Sequence, residues 1–290
     1  MTEPLQIEPD YILESHLGDW ETLYNEFTFA EGQAKWDLQR TSPGIYKQIV
    51  NAINKRSLSN GQSRKLAWSL LCGVCRRNIQ TSGIEDVYVG LVDDVFNLNK
   101  SSIDDLKVQK QISLDVVRTF SKQRVAQFIA PIGSKQNVLY NVLAAYAKHE
   151  PDVGYCQGMN FLAGLILVGV DFDEVSAFIV LDKLLSKEYG QLASLYDGKL
   201  TKLFSLSDDV YTWLLEEEPE LEQLVQHHGV PLTTLFAGPL MAVFANIFED
   251  WQTPLHILDR LVLQKDHALV SIIKHVFRSM KPELLQYRRE

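Results

Sequence analysis

Wherever apolar side chains in this chain fall into a pattern, the pattern is helical. Ile45, Ile49, Val50 and Ile53 follow a Ser42-Pro43 start, which supplies a cap and a proline for the first turn. Val138, Leu139, Val142, Leu143 and Tyr146 make a second stripe, expected to begin at Ser134 and stop at Pro151. Residues 174–187, 208–218 and 221–228 read in the same way, the last closed by Gly229. Leu269, Ile272, Ile273, Val276 and Phe277 form a final face before Pro282. A stripe repeating every three to four residues is buried only as the inner side of a helix, whereas a strand needs strict alternation. Alternation is weak throughout. The Asn60-Gly61 and Asp197-Gly198 pairs precede helical patterns rather than joining two strands. The expectation is an all-α chain of a dozen or more helices.

Three cysteines are too few for a disulfide framework, so a reducing compartment is expected. The first twenty residues are acidic and broken by Pro4 and Pro9, unlike a signal peptide. Residues 161–170 form an apolar run too short to cross a bilayer. Residues 230–248 are interrupted by two prolines and a glycine, and read as a buried helical pair. The formal net charge of -9 argues against nucleic acid and against passive attraction to anionic lipid. No repeat of solenoid period is present. Residues 1–40 read as a Trp-containing acidic extension and residues 41–285 as one large domain. A soft boundary between two helical subdomains lies near 186–200, where apolar spacing lapses.

Conventional enzyme signatures are missing, including phosphate loops, dinucleotide fingerprints, HExxH and the nucleophile elbow. Cys72 and Cys75 form a lone C-x-x-C inside an apolar run and read as packing rather than a zinc site. His227 and His228 end a helix, where such residues suit the last carbonyls. Glu216, Glu217 and Glu218 point different ways around a helix and read as a solvated face.

Two segments are harder to assign to packing. In residues 112–120 (ISLDVVRTF), Asp115 and Arg118 stand one helical turn apart, so the carboxylate is placed to hold the guanidinium. Alone, that is a common surface pair. In residues 154–160 (GYCQGMN), Gly154 and Gly158 flank Cys156-Gln157 and suggest unusual backbone geometry. A glutamine at the mouth of the following apolar helix suits a positioned hydrogen-bonding group, although an ordinary turn would read alike.

Together these segments resemble the TBC domain, the GTPase-activating module for Rab GTPases. Its I-x-x-D-x-x-R pattern is met by Ile112, Asp115 and Arg118. Its Y-x-Q pattern, extended to YxQGMN, is met by Tyr155, Gln157, Gly158, Met159 and Asn160, and an earlier R-x-x-x-W by Arg64 and Trp68. The likeness runs from about residue 45 to 280. Departures fall at Leu58-Ser59-Asn60, where the family has Gly-Ile-Pro, at Pro239 or Leu240 in place of a Trp, and at His256 in place of an Arg.

The resemblance implies an all-α TBC fold and a cytoplasmic activator of a GTP-bound Rab, working in vesicle trafficking and meeting endomembranes only through its partner. Arg118 would be an arginine finger supplied in trans, an effect of roughly 10³ to 10⁵ in rate, or about 4–7 kcal/mol. Gln157 would be a glutamine finger that orients the attacking water. Asp115 would orient Arg118 or its loop, Arg64 and Trp68 would support the groove, and Tyr155 and Asn160 would shape the glutamine loop. Such a protein has no independent enzymatic activity and no cofactor or metal of its own, since GTP and Mg²⁺ come with the GTPase. A TBC-like scaffold that binds without stimulating hydrolysis is the alternative, particularly if residues 1–40 cover the groove.

Charge distribution adds one observation. Residues 106–135 hold Lys107, Lys110, Arg118, Lys122, Arg124 and Lys135 against Asp115 alone, a basic stretch suited to phosphate. Residues 205–223 hold seven acidic side chains and no basic one, which reads as a solvated face.

Overall fold

A computed structural model describes residues 11–26, 37–58, 60–74, 83–97, 99, 101–122, 125–129, 136–248 and 250–286. Among these residues the fold is all-α, with no strand. The first group of helices is α1 (Tyr11–Glu26), α2 (Leu38–Thr41), α3 (Pro43–Asn54), α4 (Gly61–Leu71) and α5 (Ile84–Phe96). It is followed by α6 (Ile103–Val116), α7 (Ala126–Ile129), α8 (Val138–His149), α9 (Met159–Gly169) and α10 (Glu174–Leu185). The last group is α11 (Thr201–Glu217), α12 (Pro219–His228), α13 (Leu232–Met241), α14 (Gln252–Gln264) and α15 (Ala268–Leu284).

Local chemistry sets most boundaries. Asn60 and Ser63 form a capping box at α4, as do Ser102 and Asp105 at α6. Asn137 accepts the Tyr140 N–H at the start of α8, and Asp173 accepts the Ser176 N–H at the start of α10. Gly229, at φ 61°, ends α12 in the left-handed conformation.

Helix α9 is apolar on every side, so it can only be central. It packs against α4, α6, α8, α10, α13 and α14. Helices α11, α12, α13 and α15 gather in the C-terminal half, while α14 crosses back onto α3, α4 and α9. The 186–200 segment is packed: Leu192, Leu195 and Tyr196 are buried, and the Tyr189 hydroxyl lies 2.9 Å from the Leu71 carbonyl and 3.1 Å from that of Val262. Helix α1 lies on α3 and α4, with Trp20 fully buried and its indole N–H donated to Gln48 at 2.9 Å.

Several expectations need correction. The 230–248 stretch is not a helical pair. Helix α13 ends at Met241, and the chain then turns through positive φ at Val243 and Phe244. Helix α11 begins at Thr201, seven residues before the apolar stripe suggested, because the Asp197 carboxylate accepts the Thr201 N–H at 3.1 Å. Helix α15 continues through Pro282, whose missing N–H falls in the exposed last turn, where a lost bond is cheap. Helix α8 starts at its Asn137 cap, and Ser134 lies outside the described residues.

The acidic run is not simply solvated either. Glu218 takes the Arg278 Nε at 3.0 Å and the Lys281 Nζ at 2.8 Å, while Glu217 and Glu220 pair with the same two cations. Cys72 is buried and its thiol is pushed up to about 12 by burial. Cys75 lies outside the described residues. No helix of the described residues is long and apolar enough to cross a membrane.

Candidate functional site

Helix α6 delivers the arginine segment. Ile112 and Val116 anchor its inner face, and Asp115 is only 4% exposed. After Val116 the helix loosens into turns. The Asp115 carbonyl takes the N–H groups of Arg118 and Thr119, each at 3.0 Å, and the Thr119 hydroxyl at 2.7 Å. Two residues past Arg118, Phe120 has φ 51°. Its ring is held by Trp251 and Phe161, with centroids 4.5 and 5.4 Å away, and lies over Gly164, where a Cβ would come within 2.7 Å of it. A left-handed non-glycine residue is tolerated because that burial holds it. Arg118 is therefore fixed on both sides along the backbone while its side chain stands in solvent.

The glutamine loop is held just as firmly. The Glu150 carbonyl accepts the N–H groups of Val153 (3.1 Å) and Gly154 (2.8 Å), and Gly154 has φ 62°. Gly158 has φ 109°, and a Cβ there would lie 2.7 Å from the Met241 carbonyl oxygen, so both conformation and space demand glycine. The Gly158 N–H donates to Asn160 Oδ1 at 3.0 Å. Gln157, between these restraints, is exposed.

Buried bonds join the two segments. The Tyr155 hydroxyl donates to Asp115 Oδ2 at 2.8 Å, and Gln111 Nε2 donates to the same oxygen at 3.1 Å. Asn160 Nδ2 donates to Thr119 Oγ1 at 2.7 Å, so the threonine hydroxyl donates on one side and accepts on the other. Burial, followed by the bond to Asp115, holds the Tyr155 hydroxyl well above its usual range. Burial, then the Asp115 charge, also raises the Cys156 thiol. Both groups stay neutral near pH 7. Hydrogen bonds to a buried charge contribute about 1.5–3 kcal/mol each, so Asp115 is a strong fastening for the glutamine loop.

Asp115 thus does something other than the spacing suggested. Among the described residues no ion pair joins it to Arg118, because its carboxylate is turned inward to Tyr155. Arg64 and Trp68 lie elsewhere too. Arg64 pairs with buried Asp259, Nε at 3.2 Å and Nη2 at 3.4 Å, and the Trp68 indole N–H reaches Asp259 Oδ1 at 2.9 Å. His256 Nδ1 approaches Asp259 Oδ2 at 3.4 Å. The Trp68 ring presses on Gly169, where a Cβ would come within 2.2 Å of it. These residues hold the C-terminal end of α9, roughly 16 Å along the helix from the glutamine loop.

Thr119, Gln111, Met241 and Asp259 were not singled out by their sequence pattern as site residues. The sequence signals were the family-like Ile257-Leu258-Asp259 segment for Asp259 and the Thr119-Phe120 pair after Arg118 for Thr119. The basic stretch is also weaker than its window implied. Lys107 pairs with Asp104 at 2.8 Å, just outside that window, while Arg124 and Lys135 lie outside the described residues. Among the described residues, His149, Glu150 and Asp182 bring three potential ligand atoms within 4.8 Å of one another, with His149 Nε2 3.9 Å from Glu150 Oε1 and 4.0 Å from Asp182 Oδ1.

This all-helical domain ties an exposed arginine and an exposed glutamine to one buried network. The family model for the Rab-GTPase-TBC domain matches residues 61–285, and the chain belongs to that family. It is 30% identical over 182 residues to growth hormone-regulated TBC protein 1 of Xenopus tropicalis, covering 63% of this chain and 52% of that one. It is also 30% identical over 187 residues to TBC1 domain family member 1 of Mus musculus, covering 62% of this chain and 14% of the relative. The chain therefore spans about half the length, or less, of these relatives. The crystal structure of the Ypt/Rab-GAP domain of Gyp1p superposes with a TM-score of 0.68 at 16% identity, covering 94% of this chain and 87% of that one. The Chlamydomonas flagellar RabGAP TBC domain gives 0.61 at 17%, covering 97% and 85%. At such identities these two likenesses establish the fold.

Proposed function

We propose that this domain accelerates GTP hydrolysis by a Rab-family small GTPase in its GTP-bound state, with Arg118 and Gln157 entering the partner's nucleotide site in trans. The observation that supports this reading most is the buried Asp115–Tyr155 and Asn160–Thr119 pairing, which locks two segments together while leaving Arg118 and Gln157 in solvent. Held in advance, such groups need little reorganisation when they meet the reacting phosphate. The guanidinium is always charged and presents a planar fork of donors to the phosphoryl oxygens. The glutamine amide both donates and accepts, so it holds the attacking water in line. GTP and Mg²⁺ arrive with the GTPase, and the domain brings no cofactor. It acts in the cytoplasm and reaches endomembranes through its partner.

The alternative, a scaffold that binds without stimulating hydrolysis, is disfavoured by the presence of both side chains. Single-turnover hydrolysis across a panel of GTP-loaded Rabs tests the reading. Wild type accelerates at least one Rab, and Arg118→Ala and Gln157→Ala each lose nearly all of that acceleration. No acceleration by wild type, or variants as fast as wild type, would overturn it.

A further inference from the structure

Helix α6 carries a second feature besides the turn at its end. Its inner face packs on α8 and α9 through Ile112 and Val116. On the outer face Ile103, Leu106, Leu114 and Val117 stand in solvent, with Ile103 76% and Val117 67% exposed. Positions 103, 106, 110, 114 and 117 fall on one side of a 3.6-residue helix, with Lys110 in the middle. The stripe runs about 21 Å along the helix and ends beside Arg118. Single exposed apolar residues are ordinary on a protein surface, but two exposed apolar pairs on one helix face, one on each side of Lys110, mark a place of contact.

The sign of its charge narrows the partner. Asp115 is turned inward, Lys107 is matched by Asp104, and Lys110 makes no ion pair among the described residues. The stripe is thus apolar with a basic centre. The exposed apolar residues of α11 (Phe204, Tyr211 and Leu215) lie instead beside Asp208, Asp209 and Glu216. The stripe adjoins Arg118, which favours as its occupant the same GTPase proposed above.

We propose that the outer face of α6 selects the GTPase, seating an apolar patch bordered by acidic side chains next to its nucleotide site. The proposal rests on the activator reading above and adds the residues that set affinity.

The test titrates the full chain against a responsive GTP-loaded Rab in single-turnover assays. Ile103→Glu and Leu106→Glu each raise the half-saturating concentration tenfold or more and keep the plateau rate within twofold. Lys110→Glu raises it as well and flattens its dependence on salt. Phe204→Glu, an equally exposed apolar position on α11, leaves it unchanged. Thermal unfolding of the α6 variants stays at the wild-type temperature, since the substituted side chains are exposed.

Half-saturation within twofold of wild type in both apolar variants would overturn the proposal while leaving the activator reading intact, provided that Arg118→Ala still abolishes the plateau. A fall in plateau without a change in half-saturation would overturn it too. If wild type accelerates no Rab and forms no complex with any Rab bearing GDP and aluminium fluoride, the activator reading fails and the stripe loses its occupant with it.

Discussion

Tyr155→Phe removes one oxygen and leaves the ring in place. In the native protein that hydroxyl gives its proton to Asp115 Oδ2 at 2.8 Å, and the carboxylate is only 4% exposed. Without it, Asp115 keeps the Gln111 amide at 3.1 Å as its remaining side-chain donor. A hydrogen bond to a buried charge is worth about 1.5–3 kcal/mol, so urea unfolding should register a loss in that range. For a chain of this size the melting temperature should fall by roughly 3–12 °C. Asp115→Asn alone weakens the same bond, and the double variant should lose less than the sum of the two, with a coupling of at least about 1 kcal/mol. The same substitution removes one of the two side-chain bonds that join the glutamine loop to the arginine turn, leaving Asn160–Thr119. Rab GTP hydrolysis at saturating domain should therefore drop about tenfold, a smaller loss than Arg118→Ala, because misplacement weakens but does not remove the finger. A loss below about 0.5 kcal/mol, or a coupling near zero, would show that the bond does not hold the two segments and would refute the reasoning.

Gly158→Ala should cost about 2–5 kcal/mol, because φ is 109° and the added methyl would sit 2.7 Å from the Met241 carbonyl oxygen. Gly154→Ala, whose nearest contact would be 3.7 Å away, should cost only about 1–2 kcal/mol. Equal losses in urea unfolding would contradict that ordering. Asp259→Ala strands Arg64 in the interior and should cost about 3–5 kcal/mol, much of it recovered when Arg64→Met is added. A double variant no more stable than Asp259→Ala would refute the pairing as the cause. Lys281 and Arg278 hold the Glu218 carboxyl below its ordinary 4.5. Their contribution is therefore complete above that value and fades as pH falls through it toward the folded-state value. Lys281→Ala should destabilise at pH 7 and match wild type near pH 2, and a difference independent of pH would exclude this origin.

Elements whose instructions are local could be read in advance. The stripes of α3, α8, α10 and α15 and the Gly229 stop of α12 depend on neighbours within a few residues, and they emerge close to where the pattern placed them. Errors came where the deciding partner is distant. Glu218 looked solvated because its cations lie 60 and 63 residues further on. Arg64 and Trp68 gave no hint of their shared partner because that carboxylate, Asp259, lies more than 190 residues away. The 230–248 stretch looked like two helices because no local signal announces two consecutive left-handed residues at Val243 and Phe244.

The arginine segment shows how a motif can be recognised while its local logic is misread. Spacing alone makes Asp115 and Arg118 neighbours on one helical face, which predicts a carboxylate steering a guanidinium. That inference assumes the helix continues. It ends at Val116, and the Asp115 carbonyl then takes three donors from the turn beyond it, two from Thr119 and one from Arg118. Released from the helix, Arg118 points to solvent, and the carboxylate is left for Tyr155, forty residues on. Ile112, Asp115 and Arg118 therefore serve three different layers: the core, the fastening to the glutamine loop, and the exposed edge. An aspartate bound to the arginine itself would neutralise the charge that a phosphate needs. Turned inward, the carboxylate holds the glutamine loop and leaves the guanidinium without an ion pair among the described residues, as the proposed activator role requires.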